Sequence, residues 1–558
     1  MAAKRTAIIG LFATLVVVAA TAAAIIVVQK KHKELNNHKI NESQKAIQSL
    51  CQNTYYQQTC ITTLSKATNS SNPKTLIQSG FQIAIDELRH VINQTAPLQE
   101  ASRDPETAGA YKTCQKLLDD SITDLQTTVD QIESFDTANF NMLMDDIKTW
   151  LTGALTYQET CLDCFEEVKG EDGEKMRQLL EISRELTING LALANEFSNF
   201  LVPTEFGFSR RLLAHIEPAD DYDYGYVGRN LENFAKTPKS RRLLQADPGN
   251  VKPNVIVAGD GSGKYTTINE ALQEVPFKSN ETFVIYIKEG VYQEYVTINK
   301  TMWSVMFIGD GPTKTRIIGN RSKIGGYETF WTATVAIEGD NFIAKNIGFE
   351  NSAGASMHQA VALRVSADKT IFHNCQIDGF QDTLYAHNHR QFYRDCTISG
   401  TIDFIFGNAR AVLQNCTLLI RKPLENQKLC MVTAQGRTLV NQTSAVVLQN
   451  CRVKAGPDYP VADTSYRAYL GRPWKEYSRT IVMDSELDGL IHPDGWSSWN
   501  DSSAHLDTCW YAEVNNKGPG ADLTKRVTWP GIKKISVQEA EMFTPGEFMF
   551  GHSWIADE

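Results

Sequence analysis

The sequence predicts two folds in series: an all-α four-helix bundle, then an all-β right-handed parallel β-helix. Three observations carry this. Up to about residue 200, apolar residues recur at helical steps of three and four. From Val255 onward, short β-branched and aromatic runs broken by Gly and Asn replace that periodicity. Within this second half an apolar-x-Asn/Asp-Cys phrase returns, with Cys375, Cys396, Cys416 and Cys451 spaced 21, 20 and 35 residues apart.

A chain of 558 residues is too long for one core and divides into at least two domains. Its net charge of -10 argues against a nucleic-acid partner. Residues 1–45 form a basic tail around the uncharged run 6–28, which follows Lys4-Arg5 and precedes Lys30, Lys31 and Lys33. That run is long enough to span a bilayer and reads as a signal anchor or a long cleaved signal. Entry into the secretory pathway is expected, with membrane contact through this segment alone. Asn-x-Ser/Thr sequons between Asn41 and Asn500, and 11 cysteines, suit an oxidising compartment.

Residues 46–205 read as the bundle. Its cleanest helix runs through Cys114, Leu118, Ile122, Leu125, Val129 and Ile132. Similar faces are Ile77, Phe81, Ile85, Leu88 and Ile92; then Met144, Ile147, Leu151 and Leu155; then Leu179, Ile182, Leu186, Leu193 and Phe197. Cys51 and Cys60 bracket a nine-residue step that a disulfide would clip as a short hairpin. Asp119, Asp120, Asp145 and Asp146 read as solvated faces, and no catalytic constellation is evident here. Periodicity is lost over 206–246, where Arg210-Arg211-Leu212-Leu213 recurs as Arg241-Arg242-Leu243-Leu244. Two copies of a dibasic tetrapeptide in an irregular linker suggest two protease sites.

Residues 247–558 read as the β-helix, because a repeat of about 20 residues cannot bury its own apolar face without stacking on its neighbours. Stacking brings equivalent cysteines together, and a Cys396–Cys416 disulfide is expected, with Cys375 and Cys451 left as core thiols. Ala258–Tyr265 imitates a phosphate loop but lacks its first Gly and its Ser/Thr, so nucleotide binding is not expected.

Seven residues after Cys375 and Cys396 stand Asp382 and Asp403. On adjacent coils, roughly 4.8 Å apart, these carboxyls would share one site and their pKa values would be driven apart. Arg472, in Leu470-Gly471-Arg472-Pro473-Trp474, is the candidate cation that keeps Asp403 ionised as a nucleophile, leaving the proton on Asp382. Gln381 and Gln359 bring side-chain amides that suit a developing oxyanion, which favours ester cleavage. Spacing alone leaves glycoside cleavage open, since retaining glycosidases hold their acids about 5–5.5 Å apart.

Five ordered motifs carry a resemblance: Gly290–Glu294, Gln359–Leu363, Gln381–Tyr385, Asp403–Gly407 and Leu470–Trp474. Through them residues 250 to about 555 resemble plant pectin methylesterases, and 46–203 resembles the inhibitor domain that many of these enzymes carry as a pro-region. The resemblance implies Asp403 as nucleophile on the C6 methyl ester of galacturonate and Asp382 as acid, then base. It implies Gln359 and Gln381 at oxyanion-stabilising positions and Arg472 as the orienting residue. Trp474 would be a platform for the sugar and Thr329 a substrate contact, with no metal or organic cofactor. It also implies disulfides Cys51–Cys60 and Cys114–Cys161, with Cys164 an extra thiol. Partners implied are methyl-esterified pectin, a subtilisin-like protease at the dibasic sites and a separate inhibitor protein, with the mature enzyme in the cell wall. Rival readings are a chain-cleaving polygalacturonase or lyase on the same fold, and a catalytically silent inhibitor or wall-binding protein.

Overall fold

Four long helices make the bundle, and their boundaries follow from local chemistry. The computed structural model describes residues 42–133, 140–200, 251–500 and 502–555. The apolar segment 6–28 and both dibasic sites lie outside the described residues. Helices α1 (42–51) and α2 (Gln57–Ala67) precede α3 (Pro73–Ala101), α4 (Pro105–Glu133), α5 (Phe140–Asp163) and α6 (Asp172–Phe200). The start of α3 is set by Asn72, whose side chain accepts from the Lys74 N–H at 2.9 Å, with Pro73 at the first helical position. The predicted stripe of Phe81, Ile85 and Leu88 is buried with Cys114, Leu118 and Leu125 from α4. Disulfides join Cys51 to Cys60 and Cys114 to Cys161, with Cα atoms 5.7 and 4.4 Å apart.

Three of the four acids read as solvated are not: Asp146, its side chain 15% exposed, meets Arg390 at 2.5 Å, and the other two are buried. Asp120 and Asp145 are 2% and 4% exposed. Asp145 accepts from Arg410 at 2.7 Å and from Arg390 at 3.1 Å, while Asp120 meets Lys116 at 2.6 Å and Lys300 at 3.5 Å. The partners Arg390, Arg410 and Lys300 lie in the other half of the chain, beyond the reach of a helical-periodicity argument.

The second half is a parallel stack of coils forming three sheets of 11, 7 and 8 strands. Each sheet takes about every third strand, so one coil contributes a strand to each face. The repeated phrase stacks on itself: Ile371 pairs with Phe392, Phe392 with Val412, and Val412 with Val447. The Asn or Asp of the phrase turns the corner with positive φ, at Asn346 (56°), Asn374 (49°), Asp395 (54°), Asn415 (54°) and Asn450 (53°). That left-handed conformation is what short polar side chains tolerate better than other non-glycine residues. Stacked corners also bond to each other, Asn374 Nδ2 donating to Asn346 Oδ1 at 2.7 Å. Inside, Phe372 stacks on Tyr393 at 4.9 Å and meets Phe342 at 5.8 Å with the rings tilted.

The expected Cys396–Cys416 disulfide is absent. Cys375, Cys396, Cys416 and Cys451 are all free and buried. In-register parallel coils hold successive Cβ atoms side by side at about the strand spacing, whereas a disulfide needs them about 3.8 Å apart. Each thiol instead donates to the carbonyl of an earlier coil, Cys396 to Phe372 at 3.4 Å and Cys416 to Tyr393 at 3.5 Å.

Candidate active site

Leu384 pairs with Ile405, so Asp382 and Asp403, each two residues upstream, occupy equivalent corners of adjacent coils. Both have positive φ, 62° and 51°, and the Asp382 N–H donates to the Ile402 carbonyl at 3.1 Å. The two residues are 8% and 5% exposed. The strand Arg467–Gly471 carries Arg472 to the same place from two coils further on. Its guanidinium donates Nε to Asp403 Oδ1 at 2.9 Å and Nη2 to Asp403 Oδ2 at 2.6 Å, a bidentate pair. The same guanidinium packs over the Trp499 ring at 4.2 Å.

The two carboxyls differ in what surrounds them. Burial raises the pKa of both from the ordinary carboxylate value. For Asp403 the two bonds from Arg472 oppose that rise. Asp382 is driven much further up, by burial first and then by the Asp403 charge, with only a longer-range pull from Arg472. The pair therefore sorts into an anion held by a cation and a neighbour that keeps its proton.

Gln381 precedes Asp382 on its own coil, and Gln359 lies one coil earlier. The Ala360 N–H donates to the Gln381 carbonyl at 3.2 Å, which sets Gln359 and Gln381 on neighbouring coils. Thr329 opens the short 3₁₀ helix Thr329–Trp331, anchored where Phe330 lies under the Arg364 guanidinium at 3.6 Å. Beyond the acids runs an aromatic row: Tyr385 stacks on Phe406 at 4.2 Å and Phe406 meets Trp474 at 6.1 Å. Gly436 makes room for this indole, since a Cβ there would sit 2.8 Å from the Trp474 ring.

Sequence reasoning missed the groups just past the acid motif. His387 is buried between Ser366 Oγ and Thr160 Oγ1, each 2.9 Å from a ring nitrogen, and burial holds its pKa well below the usual value. His389 Nε2 lies 3.0 Å from Asp124 Oδ2. Burial alone would lower the His389 pKa, but Asp124, Asp368 and Asp340 together raise it. Arg390 is shared by Asp368 of its own domain and by Asp145 and Asp146 of α5. The signal was the dense run His387-Asn388-His389-Arg390 directly after Gln381–Tyr385, too polar for a core coil unless something covers it.

What covers it is the bundle. Helix α5 lies against this face: Tyr157 Oη donates to the Ser366 carbonyl at 3.1 Å, and Asn408 Nδ2 donates to Thr156 Oγ1 at 2.9 Å. Lys475 reaches Asp163 at 2.5 Å, and Trp331 Nε1 donates to Thr113 Oγ1 at 2.8 Å. The space left beside Trp474 is lined by Thr156, Thr160 and Asp163 on one side and Tyr385, His387 and Asn408 on the other.

A parallel β-helix with a buried acid pair on one face, and a helical bundle laid over that face, defines a two-domain β-helix hydrolase. Residues 254–552 match the family described as Pectinesterase, and residues 45–193 match Plant invertase/pectin methylesterase inhibitor. The chain belongs to the pectinesterase family, a family of carboxylic ester hydrolases acting on pectin, and it carries an inhibitor-type domain ahead of the esterase domain. It is 45% identical over 555 residues to the "Putative pectinesterase/pectinesterase inhibitor 28" of Arabidopsis thaliana, spanning 99% of this chain and 74% of that protein. To the "Pectinesterase" of Petunia integrifolia it is 53% identical over 67% of this chain and 94% of that one. Among solved structures, "Pectin methylesterase from Carrot" is 49% identical with a TM-score of 0.54, over 55% of this chain and 97% of that chain.

Proposed function

We propose that the chain hydrolyses the C6 methyl esters of homogalacturonan with Asp403 as nucleophile. An Asp403 oxygen attacks the C6 carbonyl, and the negative charge that develops on the carbonyl oxygen is met by the Gln359 and Gln381 amides. As the C6–methoxyl bond breaks, Asp382 transfers its proton to the departing oxygen and methanol leaves. The acyl-enzyme is then attacked by water, Asp382 takes one water proton, and breakage of the Asp403–C6 bond releases the galacturonic acid carboxyl, which loses its remaining proton to solvent. Trp474 and Thr329 contact the sugar chain. The observation that carries this reading is the bidentate Arg472–Asp403 pair beside a buried Asp382 that faces it as a second carboxyl.

The helical half, residues 46–205, shields this site until a subtilisin-like protease cuts the 206–246 linker at Arg210–Leu213 or Arg241–Leu244. The segment 1–45 brings the precursor into the secretory pathway, and the 247–558 domain acts in the cell wall. Shielding is supported by α5 lying over Tyr385, His387 and Asn408. Gly153 lets α5 approach, since a Cβ there would come within 2.5 Å of Asp124 Oδ2 and 2.6 Å of His389 Nε2.

In the chain cut at Arg242-Leu243, Asp403→Asn is expected to abolish methanol release from pectin while circular dichroism stays that of the parent. Full retained activity overturns the assignment, and new reducing ends would point to chain cleavage instead. In the uncut chain, Gly153→Ala is expected to raise methanol release about tenfold, because overpacking of about 1–2 kcal/mol falls on the contact. Equal release by cut, uncut and substituted chains removes the shielding role.

A further inference from the structure

Two lysines stand on opposite sides of the acid pair, and both are occupied by the other domain. The Lys323 N–H donates to the Gln359 carbonyl at 2.9 Å, and its Nζ lies 3.3 Å from Glu328, the residue before Thr329. Lys475 follows Trp474 and lies 5.2 Å from that ring's centroid. Along the stack, Lys323 thus belongs to the coils before Asp382, and Lys475 follows the coil that supplies Arg472.

The helical domain delivers carboxylates to both. Lys323 Nζ is 3.0 Å from Glu167 and 3.8 Å from Glu106. Lys475 Nζ is 2.5 Å from Asp163 and 3.5 Å from Glu166. Asp163, Glu166 and Glu167 belong to one short segment at the end of α5, so a single acidic turn reaches both lysines. Lys323 has one carboxylate partner from its own domain, Glu328. Both ion-pair partners of Lys475 among the described residues come from the bundle. The lysine side chains are only 23% and 16% exposed, so an anion is needed to offset their partial burial.

When the bundle leaves, two cations are uncovered near the acid pair, whose substrate on the reading above is a chain of uronate sugars. Methyl-esterified residues of that chain are neutral and demethylated ones are carboxylates, which are the natural partners of an ammonium group. We propose that Lys323 and Lys475 hold free galacturonate carboxylates on either side of the ester being cleaved, and that residues 163–167 occupy them as a surrogate for demethylated chain. This rests on the esterase reading above and adds its specificity: esters flanked by free acids bind best, and the demethylated product competes with the helical domain for the same cations.

The test uses the chain cut in its linker, with both halves present. Fully de-esterified hexagalacturonate is expected to displace the helical half, read by gel filtration, at a concentration about tenfold lower than its fully methyl-esterified counterpart. The double substitution Lys323→Gln, Lys475→Gln should erase that difference, and Lys323→Arg, Lys475→Arg should restore it. Equal displacement by the two oligomers, or an acid preference that survives the glutamine pair, overturns the proposal. With methanol release as readout, the glutamine pair should raise KM on half-demethylated pectin about tenfold more than on fully methylated pectin. Equal shifts on both pectins also overturn it. If the unsubstituted cut chain, freed of its helical half by that gel filtration, releases no methanol from either pectin, the esterase reading fails, while the displacement experiment still decides whether the lysines hold carboxylates.

Discussion

Two corners of the β-helix use the same backbone conformation for opposite ends. At one, Asn346, Asn374, Asp395, Asn415 and Asn450 turn the chain with φ between 49° and 56°. At the other, Asp382 and Asp403 do so with φ of 62° and 51°. The first row faces partly outward: the Asp395 side chain is 33% exposed and pairs with His373 at 3.3 Å. Solvent and side-chain amides absorb its polarity, and its work is done by the backbone. The second row is covered, so desolvation separates two chemically identical carboxyls, and one cation decides which of them stays charged. A turn aspartate becomes chemically useful when its neighbours exclude water and supply a single guanidinium.

The largest break in this comparison is expected at Asp382. Asp382→Asn should lower kcat about 10²–10⁴-fold by removing the proton donor of the proposed mechanism. The same substitution should raise Tm at neutral pH. The folded-state pKa of Asp382 lies above its unfolded value, so the stability tied to its proton is fully present below the unfolded pKa and is lost as pH rises through the folded pKa. The Tm of the variant should therefore exceed that of the parent at pH 8 and match it near pH 3; a constant offset at both would show that Asp382 does not hold its proton.

Next comes Arg472→Lys, which keeps the charge and loses the two-pronged geometry. Activity should fall about a hundredfold, because Asp403 loses its fixed orientation. The acid limb of the rate profile should also move to higher pH, since less opposes the burial that raises the Asp403 pKa. An unmoved acid limb would mean that another group sets the charge of Asp403.

The smallest effect belongs to the structural corner. Asn374→Ala keeps the turn but puts an alanine at φ near 49° and removes the bond to Asn346, for a cost of about 1–2 kcal/mol. Tm should fall by a few degrees, with kcat per folded molecule unchanged. A loss of kcat comparable to that of Asp382→Asn would mean that the two corners are not independent.

Much of this was legible beforehand because it is periodic. Residues Cys114 to Ile132 lie in one helix, and Ile371, Phe392, Val412 and Val447 stack in one sheet, since hydrophobic spacing reports local geometry directly. Asp382, Asp403 and Arg472 were found together because two of them share a repeat and the third had the needed charge. The Cys396–Cys416 expectation failed because a repeat specifies that residues are stacked, while a disulfide also depends on the direction of each Cβ and on a separation shorter than the strand spacing.

The sequence by itself determined two folds, the coil period, the corner residues and the acid pair, each encoded within a few tens of residues. Only the tertiary structure decided what lies over that pair. Asp145 on Arg390 and Arg410, Asp124 beside His389, Thr160 on His387 and Asp163 on Lys475 are contacts between halves of the chain more than 200 residues apart. No periodicity records which charge will meet which across such a distance, because ion pairs between domains depend on how two finished surfaces fit.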